Sequence, residues 1–242
     1  MSHKGLVRQN NEDVWEIVSS SRFYVVADGM GGHQAGEVAA REAVRTLCRV
    51  IEEKKHQYGS SMSGIRRELR HGIELANYHV YKMGKNNPDL KGMGTTLCCI
   101  YINENGIIYG NVGDSRIYRF RDGALEQLTR DDSLLRELLD QGQLAEYQSS
   151  DFLYKNIITK AIGAEPSVEP NVHSADIQEG DFYLMCTDGL TDMLTDESIA
   201  QIIAHMKTPE EGVEQLINEA ISHGGYDNIT VVMLAVQKED ER

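Results

Sequence analysis

The sequence predicts an α+β protein, a four-layer α/β/β/α sandwich of two mainly antiparallel sheets flanked by helix pairs. Short β-branched and apolar runs alternate with turn dipeptides such as Asn105-Gly106 and Asp122-Gly123, which favour hairpins. Long amphipathic helical patterns come in pairs, at two separate points between the groups of strands. Because each sheet and each helix must bury one apolar face, two packed sheets with helices outside satisfy both.

The first half of the chain contains two strands, two helices and a block of strands. The runs Val14–Val18 and Phe23–Ala27 are apolar and rich in β-formers. Two stretches behind them carry apolar residues at three- and four-residue spacing, which predicts one buried face for each helix. Their stripes are Ala39, Ala43, Leu47 and Ile51, then Ile65, Leu69, Ile73, Ala76, Val80 and Met83. The block Leu97–Leu128 is predicted to be one antiparallel meander.

The second half supplies two later strands and a second helix pair. Phe182–Cys186 and Ile229–Val236 are too apolar to be exposed on both faces. Between them, Thr208-Pro209-Glu210-Glu211 has the pattern of a capping box with proline at the first helical position. A helix is therefore predicted to begin there.

Composition narrows the class of protein. The chain has 242 residues, with 24 Lys and Arg against 38 Asp and Glu, a net charge of −14. Nucleic acid is a poor first guess, because backbone binding needs clustered cations. No apolar run approaches the length of a spanning helix, and the start lacks the apolar stretch of a secretory signal. We expect a cytoplasmic monomer that binds neither membrane nor nucleic acid.

Organisation and cysteine usage fit that expectation. There are four prolines and no Ser/Gly-rich linker, so residues 1–242 are predicted to form one domain. The four cysteines, Cys48, Cys98, Cys99 and Cys186, show no CxxC spacing and are predicted to be reduced core thiols. The excess of acid serves solubility or conceals a cation site.

Aspartates stand where predicted strands begin or end. Asp28 and Asp188 each follow a strand and precede glycine. Asp227 and Asp13 lead directly into strands, and Asp114 lies in a tight connection between two strands. One such aspartate is usually a turn residue, because Asp bonds to nearby backbone N–H groups.

Five of them favour a cation site. If the strand ends converge, so many carboxylates cannot all ionise without counter-charge, and an oxygen-only ligand set selects hard cations. Mg²⁺ or Mn²⁺ is expected, and Zn²⁺ is disfavoured because the histidines show no HExxH or His-x-His spacing. Arg8 lies close to this set in sequence, as a phosphate-binding guanidinium or as an ordinary surface arginine.

Seven motifs together resemble the bacterial branch of the metal-dependent, PPM-type (type 2C) protein serine/threonine phosphatases. The resemblance covers the chain from about residue 2 to about residue 236. The motifs, in order, are RQNNED (Arg8–Asp13), VADGMGGHQAGEVA (Val26–Ala39), GMGTT (Gly92–Thr96), NVGDSRIYR (Asn111–Arg119), LTRDDS (Leu128–Ser133), CTDGLTD (Cys186–Asp192) and GGYDNIT (Gly224–Thr230).

The resemblance implies a β-sandwich with helix pairs and two Mn²⁺ or Mg²⁺ ions at one end of it. Asp28 would bridge both ions, and the backbone carbonyl of Gly29 would bind the first. Asp188 and Asp227 would hold the second. Hydrolysis would then proceed by direct attack of a metal-activated water.

Further residues have roles by the same resemblance. Asp13 would lie close to the ions and bind directly or through water, with Glu12 beside it in an outer position. Asp114 would join Asp188 at a weaker third metal position. Arg8 would hold the phosphate, and Asn228 would position the last loop.

The chain departs from the family pattern at three places. Met30 stands where eukaryotic relatives have a histidine, so the general acid is unassigned. His33 is a candidate for it, although His33 could equally well cap the next helix. Metal-bound water is another candidate acid. An edge strand before the first motif is shortened or missing. The segment 133–160 corresponds to a flap beside the site, and it lacks the common His-Pro-x-x-Asn run.

The predicted function is metal-dependent hydrolysis of phosphoserine and phosphothreonine in proteins, which counteracts a serine/threonine kinase. The alternative is a pseudophosphatase, a catalytically weak module that binds phosphoproteins without turnover. Against it, no metal-ligand position is substituted. A generic calcium-binding module fails because no DxDxDG loop with a closing Glu is present.

Overall fold

Two antiparallel sheets form the centre of the computed structural model, which describes residues 1–31, 35–54, 61–145, 152, 154 and 156–237. Sheet 1 has the order β2-β3-β5-β6-β9, with β4 paired to β3 beyond the end of β5. Its strands are β2 (Asp13–Val18), β3 (Phe23–Met30), β4 (Gly94–Thr95), β5 (Leu97–Asn103), β6 (Gly106–Val112) and β9 (Asn171–Ala175). Sheet 2 has the order β1-β11-β10-β7-β8. Its strands are β1 (Ser2–His3), β7 (Arg116–Arg121), β8 (Ala124–Gln127), β10 (Phe182–Cys186) and β11 (Ile229–Ala235).

Helices cover the outer faces of both sheets. The helices are α1 (Ala35–Lys54), α2 (Met62–Asn86), α3 (Leu134–Asp140), α4 (Asp188–Thr191), α5 (Asp196–His205) and α6 (Pro209–Ser222). The long pair α1 and α2 packs on sheet 1, and α5 and α6 pack on sheet 2. The predicted four-layer sandwich is confirmed. Among the described helices, none is long and apolar enough to cross a membrane.

Each interface between layers has its own apolar core. Leu47 and Leu69, both fully buried, lie in the core between sheet 1 and its helices. Ile100 and Met185 lie between the two sheets, and Leu216 lies between sheet 2 and its helices. All four cysteines are buried, as predicted from their sequence context. The central core matters for function because it fixes one sheet against the other, and the candidate site draws residues from both.

The helix that begins at Pro209 has the predicted cap with one difference. The Thr208 hydroxyl accepts a hydrogen bond from the Glu211 backbone N–H at 3.2 Å, as a capping box requires. The Glu211 carboxylate accepts from the Lys207 N–H at 3.1 Å instead of from the N–H of Thr208. The reciprocal bond of the box is therefore displaced by one residue.

The predicted meander Leu97–Leu128 is wrong as a single sheet. The chain leaves sheet 1 at Val112 and enters sheet 2 at Arg116. Gly113 makes this crossing possible, since its φ is 97° and an added Cβ would lie 2.8 Å from the Thr96 side chain. Turn signals predict that two strands follow each other, but they do not distinguish a hairpin from a change of sheet.

Smaller differences concern element ends. Strand β3 continues past Ala27, so that Asp28 and Gly29 lie inside it, and Gly29 pairs with Thr95 of β4. The hairpin at Asp122-Gly123 is confirmed, with φ of 51° and 81°. The edge strand β1 is present but has only two residues, paired with the start of β11. Strands β4 and β9 and the short α4 were not predicted, because none has a long enough sequence pattern.

Candidate active site

Strand pairing brings the predicted aspartates to one end of the sandwich. Asp13 and Asp28 are direct partners in the register of β2 and β3. Asp188 follows β10, and Asp227 stands just before β11, which pairs antiparallel with β10. A cavity of about 610 Å³ lies at this end. Its lining includes Arg8, Glu12, Asp28, Gly29, Asn156, Asp188, Asp227 and Asn228.

Asp28 and Gly29 are fixed through their backbone. The Asp28 N–H donates to the Thr96 hydroxyl at 2.9 Å, and its carbonyl accepts from the Thr96 N–H at 2.8 Å. An added Cβ at Gly29 would lie 2.2 Å from the Gly36 carbonyl oxygen, so no other residue fits there. Gly36, on the first turn of α1, is equally restricted, because an added Cβ would lie 2.2 Å from Glu12 Oε2. This pair of glycines lets α1 approach the cavity, and sequence reasoning missed Gly36.

Asp13 is held by two threonines that sequence reasoning also missed. Its Oδ2 accepts hydrogen bonds from the Thr187 hydroxyl at 3.0 Å and the Thr230 hydroxyl at 2.7 Å. Its Oδ1 is buried and has no hydrogen-bond partner. Burial is the main cause that raises the pKa of Asp13 to about 7, against the lowering effect of the two hydroxyls.

Burial also raises the pKa of three further carboxyls, those of Asp114, Asp188 and Asp28. Burial raises the pKa of Asp114 to about 8, and repulsion from Asp188 adds to it. Burial raises the pKa of Asp188 to about 6, with repulsion from Asp192 and Asp227. The pKa of Asp28 is well above its ordinary value, through burial and then repulsion from Asp13 and Asp188. Oδ1 of Asp114 and Oδ1 of Asp188 are buried without a hydrogen-bond partner.

These unpartnered oxygens fit divalent cations. Buried carboxylate oxygens are normally satisfied, and three exceptions, on Asp188 at the cavity and on Asp13 and Asp114, which it repels, require an explanation. A hard cation supplies both the missing ligand contact and the missing positive charge. Within the described ranges no group of three or more acidic, histidine or cysteine side chains is already close enough together to hold a metal ion. Of the five predicted aspartates, Asp28, Asp188 and Asp227 line the cavity, and Asp13 and Asp114 do not.

Arg8 lies in this cavity, but its partner is a carboxylate. Its Nη2 is 2.6 Å from Oδ2 of Asp227, and the arginine side chain is 57% exposed. Asn228 fastens the same segment, since its amide donates to the carbonyls of Lys4 and Asn10 at 2.9 Å each and its oxygen accepts from the Glu12 N–H. The N-terminal segment is therefore tied to the loop before β11.

The segment 133–160 borders the cavity at its C-terminal end. Ser133 caps α3 by accepting from the Arg136 N–H at 3.3 Å. Asn156 lines the cavity and donates to the Asp192 carboxylate at 3.1 Å, a contact that no sequence pattern indicates. Lys160 pairs with buried Asp132 at 3.0 Å. The candidate acid His33 lies outside the described residues, as do 146–151, 153 and 155 of this segment.

The comparisons with known proteins agree on one family. A family model described as Protein phosphatase 2C matches residues 2–222. The serine/threonine phosphatase stp of Listeria monocytogenes is 36% identical over 234 residues, which are 96% of this chain and 92% of that protein.

Solved structures extend the agreement to the fold. The S. agalactiae serine/threonine phosphatase has a TM-score of 0.91 at 38% identity, with 98% of each chain covered. The catalytic domain of the serine/threonine protein phosphatase PstP, solved in complex with two manganese ions, has a TM-score of 0.86 at 34% identity, covering 98% of this chain and 96% of that one. The chain therefore belongs to the bacterial PPM-type, or type 2C, metal-dependent protein serine/threonine phosphatases.

Proposed function

We propose that the chain removes phosphate from phosphoserine and phosphothreonine in proteins by direct attack of water, and that it counteracts a serine/threonine kinase. The observation that carries the proposal is the set of buried carboxyls Asp13, Asp114 and Asp188, each with one oxygen that has no hydrogen-bond partner, of which Asp188 lines the same cavity as Arg8. Such a set has no use in a module that only binds phosphoproteins, because its carboxyls, protonated or ionised, carry no positive charge that attracts phosphate. It has a use where cations neutralise the carboxylates and activate water.

Two ions, Mn²⁺ or Mg²⁺, fit this set, and a third is proposed at Asp114 with Asp188. The residues that would hold the first two are Asp28 for both, the Gly29 carbonyl, Asp13, Asp188 and Asp227, with Glu12 outside them. When bound, such ions supply Lewis acidity, which lowers the pKa of water and polarises the phosphoryl group. The choice of oxygen ligands favours these hard cations over zinc.

The chain's own residues then bind and orient the phosphoryl group. Arg8 is exposed enough to turn from Asp227 to the substrate, and its guanidinium can bind two phosphoryl oxygens at once. When Arg8 leaves Asp227, an oxygen of the Asp227 carboxylate loses its partner. The same movement of Arg8 therefore makes the guanidinium available to the phosphate and the Asp227 oxygen available to a metal ion. The leaving alkoxide needs a proton, for which His33 stays a prediction.

A comparison of two conservative variants tests this proposal. Asp28→Asn removes the charge at the proposed bridging position, and hydrolysis of a phosphothreonine peptide with Mn²⁺ should fall by at least about a thousandfold. Asp122→Asn is the matched control, since it removes a carboxylate from a hairpin turn where asparagine also accepts positive φ. Isothermal titration with Mn²⁺ should show loss of binding in the first variant alone. A wild-type protein inert on phosphopeptides at saturating Mn²⁺ contradicts the proposal.

The cellular setting is part of the same proposal. We infer one catalytic domain over residues 1–242 with a flap at 133–160, acting in the cytoplasm as a monomer on substrates of a bacterial serine/threonine kinase. A phosphoproteome comparison between cells with the active protein and cells with Asp28→Asn tests this setting. Phosphorylated serines and threonines should accumulate on a limited set of proteins in the variant.

A further inference from the structure

Half of the large exposed apolar side chains that the structure describes stand close in sequence to residues that line the candidate active site. Among the described residues, ten large hydrophobic side chains are exposed, and five of them lie within two positions of a residue that lines the cavity. We call these five the apolar rim: Leu6, Val7, Tyr154, Ile157 and Tyr226. The three most exposed of all ten, at 62–64%, belong to it. Scattered surface hydrophobics need no explanation, but a concentration around a cavity marks a binding surface.

The first part of the rim is an ordered piece of backbone. The Leu6 N–H donates to the Gly225 carbonyl at 2.8 Å, and an added Cβ at Gly225 would lie 3.4 Å from Leu6 Cγ. The Tyr226 ring folds back over Gly224, where an added Cβ would lie 2.7 Å from ring atoms. Leu6 and Tyr226 therefore lie on neighbouring segments of the chain, whose positions are fixed by backbone contacts.

The second part of the rim is fixed in the same way. The Ile157 N–H donates to the Tyr154 carbonyl at 3.2 Å, and the Ile157 carbonyl accepts from the Leu134 N–H at 2.8 Å. Between them, Asn156 donates to Asp192 at 3.1 Å. Tyr154 and Ile157, whose side chains are exposed, are thus joined to each other and to the start of α3 by backbone hydrogen bonds.

In a phosphoprotein substrate the phosphoryl group has to reach the cavity beside Arg8, while the backbone stays outside it. The residues on either side of the phosphorylated one then lie against the side chains next to Arg8, Asn156 and Asp227. Apolar flanking residues gain free energy there by covering exposed apolar surface. Acidic flanking residues meet the carboxylates of the cavity and a chain with a net charge of −14.

We propose that the apolar rim binds the residues flanking the phosphoserine or phosphothreonine, so that the enzyme selects extended segments with aliphatic or aromatic flanks over segments with acidic flanks. This inference rests on the proposed phosphatase function, which it deepens by naming the class of substrate segment.

Matched phosphopeptides test the inference. Three phosphothreonine peptides of one length carry leucine and valine, glycine and serine, or aspartate at the flanking positions, and the readout is the ratio of kcat/KM between them. The apolar peptide should exceed the glycine peptide by about five- to tenfold, the effect of partly burying one or two aliphatic side chains. The acidic peptide should be the poorest of the three.

Rim variants locate the preference on the molecule. Val7→Ser, Ile157→Ser and Tyr226→Ser should each reduce the apolar-to-glycine ratio by about twofold to fivefold, mainly through KM. Leu75→Ser and Tyr78→Ser are the matched controls, because these residues of α2 are exposed at 39% and 50% but lie away from the cavity residues in sequence and on the outer helix layer. The controls should leave the ratio unchanged.

Failure of the rim and failure of the phosphatase function give different results. An enzyme that hydrolyses p-nitrophenyl phosphate with Mn²⁺ but shows a ratio of one overturns the rim proposal and leaves the phosphatase function standing. If the wild-type protein hydrolyses nothing, binding of the same three peptides with a nonhydrolysable phosphonate, measured by fluorescence anisotropy with Mn²⁺, still decides for or against the rim. Equal affinity for all three overturns it.

Discussion

Two threonine hydroxyls determine which oxygen of Asp13 is available to the cavity. Thr187 and Thr230 both donate to Oδ2, so Oδ1 is left without a partner. Thr230 is itself oriented, because its N–H donates to the Thr187 oxygen at 3.0 Å and its hydroxyl is 2.7 Å from the Ser2 hydroxyl. The carboxylate is therefore held in one orientation before any cation arrives, which reduces the cost of ordering it on binding.

Replacement of Thr230 by valine tests this orientation. Thr230→Val keeps the shape but removes one of two donors to Oδ2, and we expect Mn²⁺ affinity to fall by about tenfold, within the range for lost support of a metal ligand. Isothermal titration measures it. Thr46→Val is the control, since Thr46 is a similarly buried threonine on α1 outside the cavity lining. Equal Mn²⁺ affinity in both variants would show that Asp13 needs no such support.

At the residue scale, the aspartates of the site could largely be predicted from the sequence, but the residues that hydrogen-bond to them could not. Asp28, Asp188 and Asp227 stand beside glycines or strand starts, so their positions follow from local sequence. Thr187 and Thr230 carry no such mark, because their role depends on two strands, β10 and β11, that meet β2 across the sandwich. Hydrogen bonds between residues more than 170 positions apart have no local pattern.

At the scale of elements, the crossing between the sheets places Asp114. Buried Asp132 accepts from the Gly113 N–H at 3.1 Å, immediately before Asp114, and also pairs with Lys160 at the end of the 133–160 segment. Asp131 binds the Arg116 guanidinium with both carboxylate oxygens, immediately after the crossing. The neighbouring residues Asp131 and Asp132 thus bind both sides of the turn that carries Asp114.

The error in the predicted meander has the same origin. The signals at Asn105-Gly106 and Asp122-Gly123 are true hairpin signals, and each hairpin lies within one sheet. The connection between the hairpins looks alike in sequence but changes sheet, because Asp132 bonds to both the N–H and the carbonyl of Gly113 and the Thr96 hydroxyl bonds to the Ser115 hydroxyl. Tertiary contacts, not turn propensity, decide the outcome here.

Loss of the Asp132 side chain should therefore weaken the fold. Asp132→Ala leaves the Gly113 N–H without its acceptor and Lys160 without its partner, and we expect the free energy of unfolding to fall by about 2–4 kcal/mol. Urea denaturation with an unchanged m-value measures it. Asp140→Ala is the control, since Asp140 pairs with Arg130 and Arg136 on the surface and should lower the free energy of unfolding much less. A similar loss of unfolding free energy in both variants would contradict the proposed role of Asp132 in holding the crossing between the sheets.

At the scale of the whole molecule, the buried carboxyls connect metal binding to stability. The chain has a net charge of −14, and part of its acid excess is concentrated at one end of the sandwich. Without cations, these carboxyls retain protons in the folded state that they release in the unfolded chain. Bound cations take the place of those protons, so metal and acid stabilise the same end of the molecule.

The sign of the pH dependence follows from the raised pKa values. In the folded, metal-free protein the pKa is about 7 for Asp13, about 8 for Asp114 and about 6 for Asp188, against an ordinary value of 3.8. Between about pH 4 and pH 8 the folded state therefore binds more protons than the unfolded state. The free energy of unfolding without metal should fall as pH rises through this window, by at most about 1.4 kcal/mol per pH unit for each carboxyl that is protonated in the folded state and ionised in the unfolded state.

Thermal unfolding at several pH values tests this dependence. With EDTA, Tm should fall steadily from pH 5 to pH 8, by about 2–4 °C for each kcal/mol lost in a domain of this size. With Mn²⁺ the fall should be smaller, because cations bind the ionised carboxylates and their stabilising effect grows as protons leave. Asp114→Asn removes the group with the pKa of about 8. The Tm of this variant without metal should therefore fall less between pH 7 and pH 8 than the Tm of the wild type does. A metal-free Tm that rises from pH 5 to pH 8 would show that these carboxyls are ionised in the folded protein.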